Sequence, residues 1–226
     1  MLQNETEIFD LIRTKLSTAV VGDILDVMGL RHQFLPPNLR SLRPNDKLVG
    51  RAMPVLEADC ATDRIASQNQ DAAFGVMFDA LDRLQDGDVY ICSGSSHSYA
   101  LWGELMSFRA LKLGAAGAVL DGFHRDTAGI LALDFPVFSA GSYAQDQRLR
   151  GRVIDYGCPI EFSNRARVEP GDLIFGDVDG VLAVPRQRVA EVVSAALDKV
   201  VGEETVRRMI QDGRPTRLIW DETGVM

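Results

Sequence analysis

The stretch from Trp102-Gly-Glu-Leu-Met106 to Leu120-Asp-Gly-Phe-His-Arg-Asp126 constrains this chain more than any other. Its residues demand a helix, a glycine turn, a buried strand and a charged loop in immediate succession. Leu101, Trp102, Leu105, Met106, Phe108, Ala110, Leu111 and Leu113 are too densely apolar for a water-facing helix. That density predicts a helix inside the molecule or at a subunit contact. Gly114 ends it. Ala118-Val-Leu120 reads as a short apolar strand, and charge appears where the strand stops, in Asp121-Gly-Phe-His-Arg-Asp126. In α/β folds the loops beyond the carboxyl ends of strands are the usual ligand holders, so Arg125 and Asp126 are site candidates by position and by type.

Spacing adds to this. Twenty residues separate Glu104 from Arg125, about what one helix and one returning strand need to bring a start back beside an end. At such a meeting point the unpaired first-turn amides of Gly103 to Met106 face outward as an anion site, Arg125 supplies a fixed cation, and Glu104 and Asp126 supply carboxylate oxygens. A 2-oxo acid bound through a divalent metal needs this set of groups. Taken singly, an Arg-Asp pair after a strand is ordinary surface charge, and a Glu at a helix start is ordinary dipole complementation. The combination points to a site.

An acid followed after twenty residues by Arg-Asp, met here by Glu104, Arg125 and Asp126, is similar to the pattern of a known family. That family contains the 4-hydroxy-4-methyl-2-oxoglutarate/4-carboxy-4-hydroxy-2-oxoadipate aldolases and the RraA regulators of ribonuclease E. The resemblance extends to Ser17-Thr-Ala-Val-Val-Gly-Asp-Ile-Leu-Asp26, Gly117-Ala-Val-Leu-Asp-Gly122, Phe135-Pro-Val-Phe138, and Pro170-Gly-Asp with Gly176-Asp-Val-Asp-Gly-Val181 and Val184-Pro185. It covers most of the chain from Leu16 to Pro185. Two positions depart from the pattern: the aldolases carry Asp where this chain has Glu104, and many members carry an acid where this chain has Gly129.

The resemblance implies an α/β protein of the swivelling β/β/α fold, one domain over 1–226, with N-terminal helices over 1–30 and C-terminal helices and a tail over 186–226. It implies homotrimers or homohexamers with sites between subunits. It also implies a lyase that uses Mg²⁺, Mn²⁺ or another divalent metal to cleave a 4-hydroxy-2-oxo acid to pyruvate, or to decarboxylate oxaloacetate by the same enolate chemistry. Asp126 would ligate the metal, Glu104 would hold one of its waters, and Arg125 would stabilise the enolate oxygen. Amides at Gly103, Leu105 and Met106 would hold the carboxylate. The function of another class implied by the same family is a regulator that covers the surface of a ribonuclease. A methyltransferase activity, an old label for some members, lacks its glycine-rich cofactor loop here.

Composition narrows the field. At 226 residues with 46% hydrophobic content, the chain can bury a sizeable core as a single domain. A formal charge of −8 argues against holding nucleic acid by phosphate neutralisation. Cys60, Cys92 and Cys158 are scattered and form no C-x-x-C pair, which predicts reduced thiols rather than a disulfide frame or a zinc site. The start lacks the basic and apolar blocks of a signal peptide, and no run reaches membrane-spanning length, so a soluble cytoplasmic protein with no membrane partner is expected.

Elsewhere, periodicity predicts a helix over Glu5–Leu16 and a second, capped by Ser17 or Thr18, that Gly29 closes. A helix is expected over 72–84, a loop over 60–67, and strands over Val89–Cys92, Pro136–Phe138, Val153–Tyr156, Pro159–Phe162, Arg167–Val168, Leu173–Phe175 and Val181–Val184. Gly176-Asp-Val-Asp-Gly180 reads as a tight hairpin turn, being too short for an EF-hand loop. Helices are expected over Arg186–Val201 and Glu203–Gln211, then a tail. Asp23 and Asp26 read as solvated surface. His97 and His124 stay outside the catalytic set, since a lone histidine is more often structural or solvated.

Overall fold

Asn4 and Ser17 open the first two helices alike, each lending a side-chain oxygen to a first-turn amide. The recipients are Thr6 in α1 (Glu5–Lys15) and Val20 in α2 (Thr18–Val27). Gly29, at φ +79°, closes α2, with the Leu30 amide bonded to the Leu25 carbonyl at 2.8 Å. The computed structural model describes residues 4–60 and 73–225. The loop expected over 60–67, apart from Cys60, and the start of the helix expected over 72–84 lie outside them.

Eight strands form the main sheet. Its order is β1 (Arg40–Ser41), β7 (Val137–Ser139), β5 (Gly117–Leu120), β3 (Asp88–Ser93), β2 (Leu48–Asp59), β11 (Leu173–Asp177) and β12 (Gly180–Val184), with β8 (Gly151–Tyr156) paired to the second half of β2. The run β2-β3-β5-β7 is parallel and the remaining pairings are antiparallel. Parallel strands have both faces covered, which is why β3 and β5 read as unbroken apolar runs rather than alternating ones. Ahead of β1 the chain lies along β12, with Leu35 donating to the Val181 carbonyl and the Ala183 amide to that of Gln33, both at 2.9 Å. The sheet therefore nearly closes on itself. The expected hairpin is present: Asp177 pairs with Gly180 across Val178 and Asp179.

The central segment forms α4 (Glu104–Lys112), and Gly114, at φ +79°, terminates it as expected. Leu101 and Trp102, expected in that helix, instead belong to a short strand β4 (Ala100–Trp102) that runs parallel to β6 (Phe123–His124). Within α4 the buried face is Ser107 and Ala110, whereas Leu105, Phe108 and Leu111 are 83%, 49% and 44% exposed. Burial inside the monomer is thus wrong for these three, and the subunit-contact alternative remains. A helix α5 (Thr127–Ala132), not anticipated, follows Asp126. The expected helix over 72–84 is α3 (Met77–Asp82) within the described residues. The strands expected over Pro159–Phe162 and Arg167–Val168 are β9 (Ile160–Glu161) and β10 (Arg167–Val168), paired with each other.

At the carboxyl end the two helices expected are one. α6 (Val189–Gln211) runs through Gly202 without a break, and residues read as tail form α7 (Thr216–Thr223), which packs back through the fully buried Ile219. Asp23 is not simply solvated, since it pairs with Lys199 of α6 at 2.9 Å. The three cysteines are unpaired. Among the described residues no helix is long and apolar enough to cross a membrane.

Candidate functional site

β4 and β6 bring the two halves of the central motif together. The Arg125 amide donates to the Trp102 carbonyl at 2.9 Å, which places the end of one strand beside the entry to α4. Trp102 anchors this junction from below. It is 2% exposed, its ring lies 4.8 Å from that of Tyr90 and stacks at 6.2 Å on Phe135, and its indole donates to Ser107 Oγ at 2.6 Å.

Gly103 is the N-cap of α4 and offers no side chain to the first-turn amides, which no intrahelical acceptor satisfies. Asp126 fills part of that role. Its Oδ2 sits 3.4 Å from the Glu104 amide, and a Cβ on Gly103 would lie 2.7 Å from that same oxygen, so only glycine admits the approach. Asp126 occupies the cap position of its own helix α5, yet makes no side-chain cap bond there. Its backbone is left-handed, φ 59° and ψ 36°, which costs a non-glycine residue about 1 kcal/mol. The carboxylate turns from its own helix to the neighbouring one.

Arg125 faces two carboxylates, Asp126 Oδ2 at 3.8 Å from Nε and Asp146 Oδ1 at 3.0 Å from Nη1. These groups border a cleft of about 270 Å³ lined also by Gly103, Leu105, Met106 and Gln147, with an apolar side formed by Phe74, Met77, Phe78 and Leu101. Five of the six residues expected at the site therefore line one cleft. The sixth, Glu104, is not in that lining. Its carboxylate lies over Gly129 of α5, where a Cβ would come within 2.4 Å of its Cδ and Oε2.

Behind the cleft wall stands Glu57, placed at a bulge in β2 and 2% exposed. Its Oε2 accepts from Gln147 Nε2 at 2.7 Å and its Oε1 has no partner among the described residues. Burial pushes its pKa up to about 8, against the opposing pull of the Gln147 bond. Neither histidine of interest lines the cleft. His124 is buried between Ser139 at 2.8 Å and Thr127 at 3.0 Å, and burial lowers its pKa despite a backbone bond at Gly141. His97 lies 3.6 Å from Asp121. Sequence reasoning missed Asp146, Gln147 and Glu57, because Ala-Gln-Asp-Gln is an unpatterned polar run and Glu57 looks like an ordinary strand residue.

Among the described residues no three His, Cys, Asp or Glu side chains form a ready-made metal cage. Mg²⁺ commonly needs only one or two carboxylates beside water and ligand oxygens, so the sparse, all-oxygen set at Asp126 fits a hard divalent cation better than a soft one. The arrangement as a whole offers helix amides and a guanidinium to an anion, beside an apolar wall.

Comparison with known proteins places these features in a family. The family described as RraA-like, aldolase/RraA, matches over residues 18–183. A Halalkalibacterium halodurans protein, provisionally named a 4-hydroxy-4-methyl-2-oxoglutarate aldolase, is 31% identical over 94% of this chain and 92% of its own length. Protein DlpA of Legionella pneumophila is 26% identical over 87% of this chain, which spans only 31% of that longer relative. Among solved structures, Streptomyces coelicolor RraAS2, described as an unusual member of the RNase ES inhibitor RraA protein family, superposes with a TM-score of 0.74 at 24% identity. That superposition covers 92% of this chain and 98% of that one. This last likeness establishes the fold, an α/β domain of the swivelling β/β/α type with helices at both ends.

Proposed function

The chain belongs to the RraA-like family, and from that premise we propose that it is a divalent-metal-dependent carbon–carbon lyase releasing pyruvate from a 4-hydroxy-2-oxo acid. This is the class that includes 4-hydroxy-4-methyl-2-oxoglutarate; decarboxylation of oxaloacetate would use the same enolate chemistry. The observation that carries the proposal is the Asp126 carboxylate, turned from its own helix toward the first turn of α4 and the Arg125 guanidinium inside the cleft.

In the cleft the first-turn amides of α4, at Leu105 and Met106 with Gly103 leaving the approach open, hold the substrate carboxylate. Cleavage breaks the bond between C3 and C4. The 4-hydroxyl gives up its proton and becomes a carbonyl, and the electron pair moves to C3 and the oxygen on C2. Arg125 stabilises that oxygen as charge develops. Asp126, with Glu104 at hand, would hold the divalent ion, Mg²⁺ or Mn²⁺, which when bound supplies positive charge beside the same oxygen. Protonation of C3 yields pyruvate, with cleft water as the proton carrier, since neither His97 nor His124 lines the cleft. Assembly as a homotrimer or homohexamer in the cytoplasm belongs to the same reading, supported by the apolar row on α4 and by unpaired thiols.

The test is pyruvate release from 4-hydroxy-2-oxo acids and oxaloacetate, followed with and without Mg²⁺. Turnover lost with EDTA and reduced about a hundredfold or more in Asp126→Ala is the expected result. Absence of turnover with every 2-oxo acid, together with tight association with a ribonuclease, would favour the second reading. That reading is a regulator of the kind named for the S. coelicolor neighbour, docking through the exposed row on α4.

A further inference from the structure

We infer that the cleft prefers 4-hydroxy-2-oxo acids with a single carboxylate and an apolar distal group, and that Asp146 sets this preference by repelling a second carboxylate. The inference rests on the lyase reading for its reaction, and on the charge and lining of the cleft for its selectivity.

Charge comes first. Arg125 is the one cation among the described residues that line the cleft, and it already faces both Asp126 and Asp146. The divalent ion that the lyase reading places at Asp126 would offset that carboxylate, which leaves Arg125 engaged by Asp146. The substrate's own 1-carboxylate has the amides of α4 to receive it. A second carboxylate, at the distal end, finds no further cation among the described residues and meets Asp146. Like charges brought together in a partly desolvated site cost affinity rather than add to it.

Shape and rigidity point the same way. Beyond the polar end the cleft is walled by Phe74, Met77, Phe78, Leu101, Leu105 and Met106, which offer an alkyl or aryl tail contact and a carboxylate nothing. The backbone that carries Asp146 is held in place, because both its neighbours are tied down. The Gln145 carbonyl accepts from the Ala100 amide at 2.8 Å, and the Gln147 carbonyl accepts from the amides of Arg150 and Gly151 at 2.7 and 3.0 Å. The Gln147 side chain donates to the buried Glu57. Asp146 is therefore presented to Arg125 by a braced segment, as a specificity-determining residue should be. Oxaloacetate, with its second carboxylate, falls on the disfavoured side.

The experiment compares kcat/KM for pyruvate release, in the presence of Mg²⁺, from 4-hydroxy-2-oxoheptanoate and from 4-hydroxy-4-methyl-2-oxoglutarate. The expected ratio favours the monocarboxylate by about tenfold or more, and Asp146→Asn and Asp146→Ser shrink it several-fold by improving the dicarboxylate. A merely structural loss would lower both substrates together and leave the ratio unmoved, which would overturn the assignment of Asp146. A binding arm needs no turnover: calorimetry with Mg²⁺ and the uncleavable 2-oxohexanoate or 2-oxoglutarate. Tighter 2-oxohexanoate supports the preference, while equal or tighter 2-oxoglutarate sinks it. Pyruvate from neither hydroxy acid, beside selective binding of 2-oxohexanoate, would instead overturn the lyase reading and leave the selectivity standing.

Discussion

Glu104 and Gly129, the two positions at which the sequence departs from the resemblance, are brought together in the structure: the acid rests where a side chain at 129 would sit. The atoms in conflict with an added Cβ are the flexible end of an exposed carboxylate. Gly129→Ala is therefore expected to keep or raise thermal stability, by about 0.5–1 kcal/mol from helix propensity, while displacing Glu104. Pyruvate release should fall by roughly tenfold, and an unchanged rate would remove Glu104 from the site. Glu57 makes a different kind of prediction. The unfolded chain gives up this proton near pH 4.5, while the folded chain holds it to about 8. Between those values the folded form binds more protons, so each rise in pH costs stability. The stability due to the neutral acid is whole below the lower value and is lost as pH rises through the upper one. Glu57→Gln cannot ionise. Its unfolding free energy, from urea titrations, should stay flat across this window while that of the parent falls by on the order of a few kcal/mol. A parent curve as flat as the variant's would rule out the buried, neutral acid.

Among the elements, α4 and α5 do the positioning. Asp126 must be left-handed for the chain to leave β6, reach α5 and still aim its carboxylate at the start of α4. α5 escaped the sequence because its six residues, Thr-Ala-Gly-Ile-Leu-Ala, hold no full amphipathic repeat and its cap residue caps a different helix. The opposite error occurred at α6, where Gly202 suggested a break. Packing keeps the helix whole: the added methyl of Gly202→Ala would sit at 3.8 Å from Val225, an ordinary contact. That variant should gain about 0.5–1 kcal/mol, read as a higher urea midpoint at unchanged slope. A loss would mean that the helix is not continuous there in solution.

For the whole molecule, the row Leu105, Phe108, Leu111 on α4 leaves a large apolar surface in water on a chain that otherwise carries a net charge of −8. Such a patch marks an interface, and the first of these residues also lines the cleft. Under the proposed trimer or hexamer, Phe108→Glu is expected to sediment as a smaller species than the parent, with far-UV circular dichroism unchanged. A sedimentation profile identical to the parent's would place the subunit contact elsewhere.

The elements that can be read from local order were legible in the sequence: a cap at Ser17 or Thr18 and the stop at Gly29, the stop at Gly114, the hairpin at Gly176–Gly180, and the apolar strands at 118–120 and 173–175, each of which the structure extends. Each depends on neighbours within one turn or one strand, so propensity and periodicity carry it. The approach of the Glu104 amide to Asp126 was also foreseeable, since helix rise and strand length set how far the chain travels before it returns, whereas the Glu104 carboxylate lies over Gly129. Chain order could not reveal that Glu57, Gln147 and Asp146 stand behind and beside that meeting point. β2 and the 145–147 segment reach it only through sheet pairing, and the burial that lifts the Glu57 pKa exists only once β8, the Gln147 side chain and the core have closed over it. Local chemistry decided which elements form; long-range packing decided which charges face one another, because only the closed fold sets the distance and burial of each carboxylate.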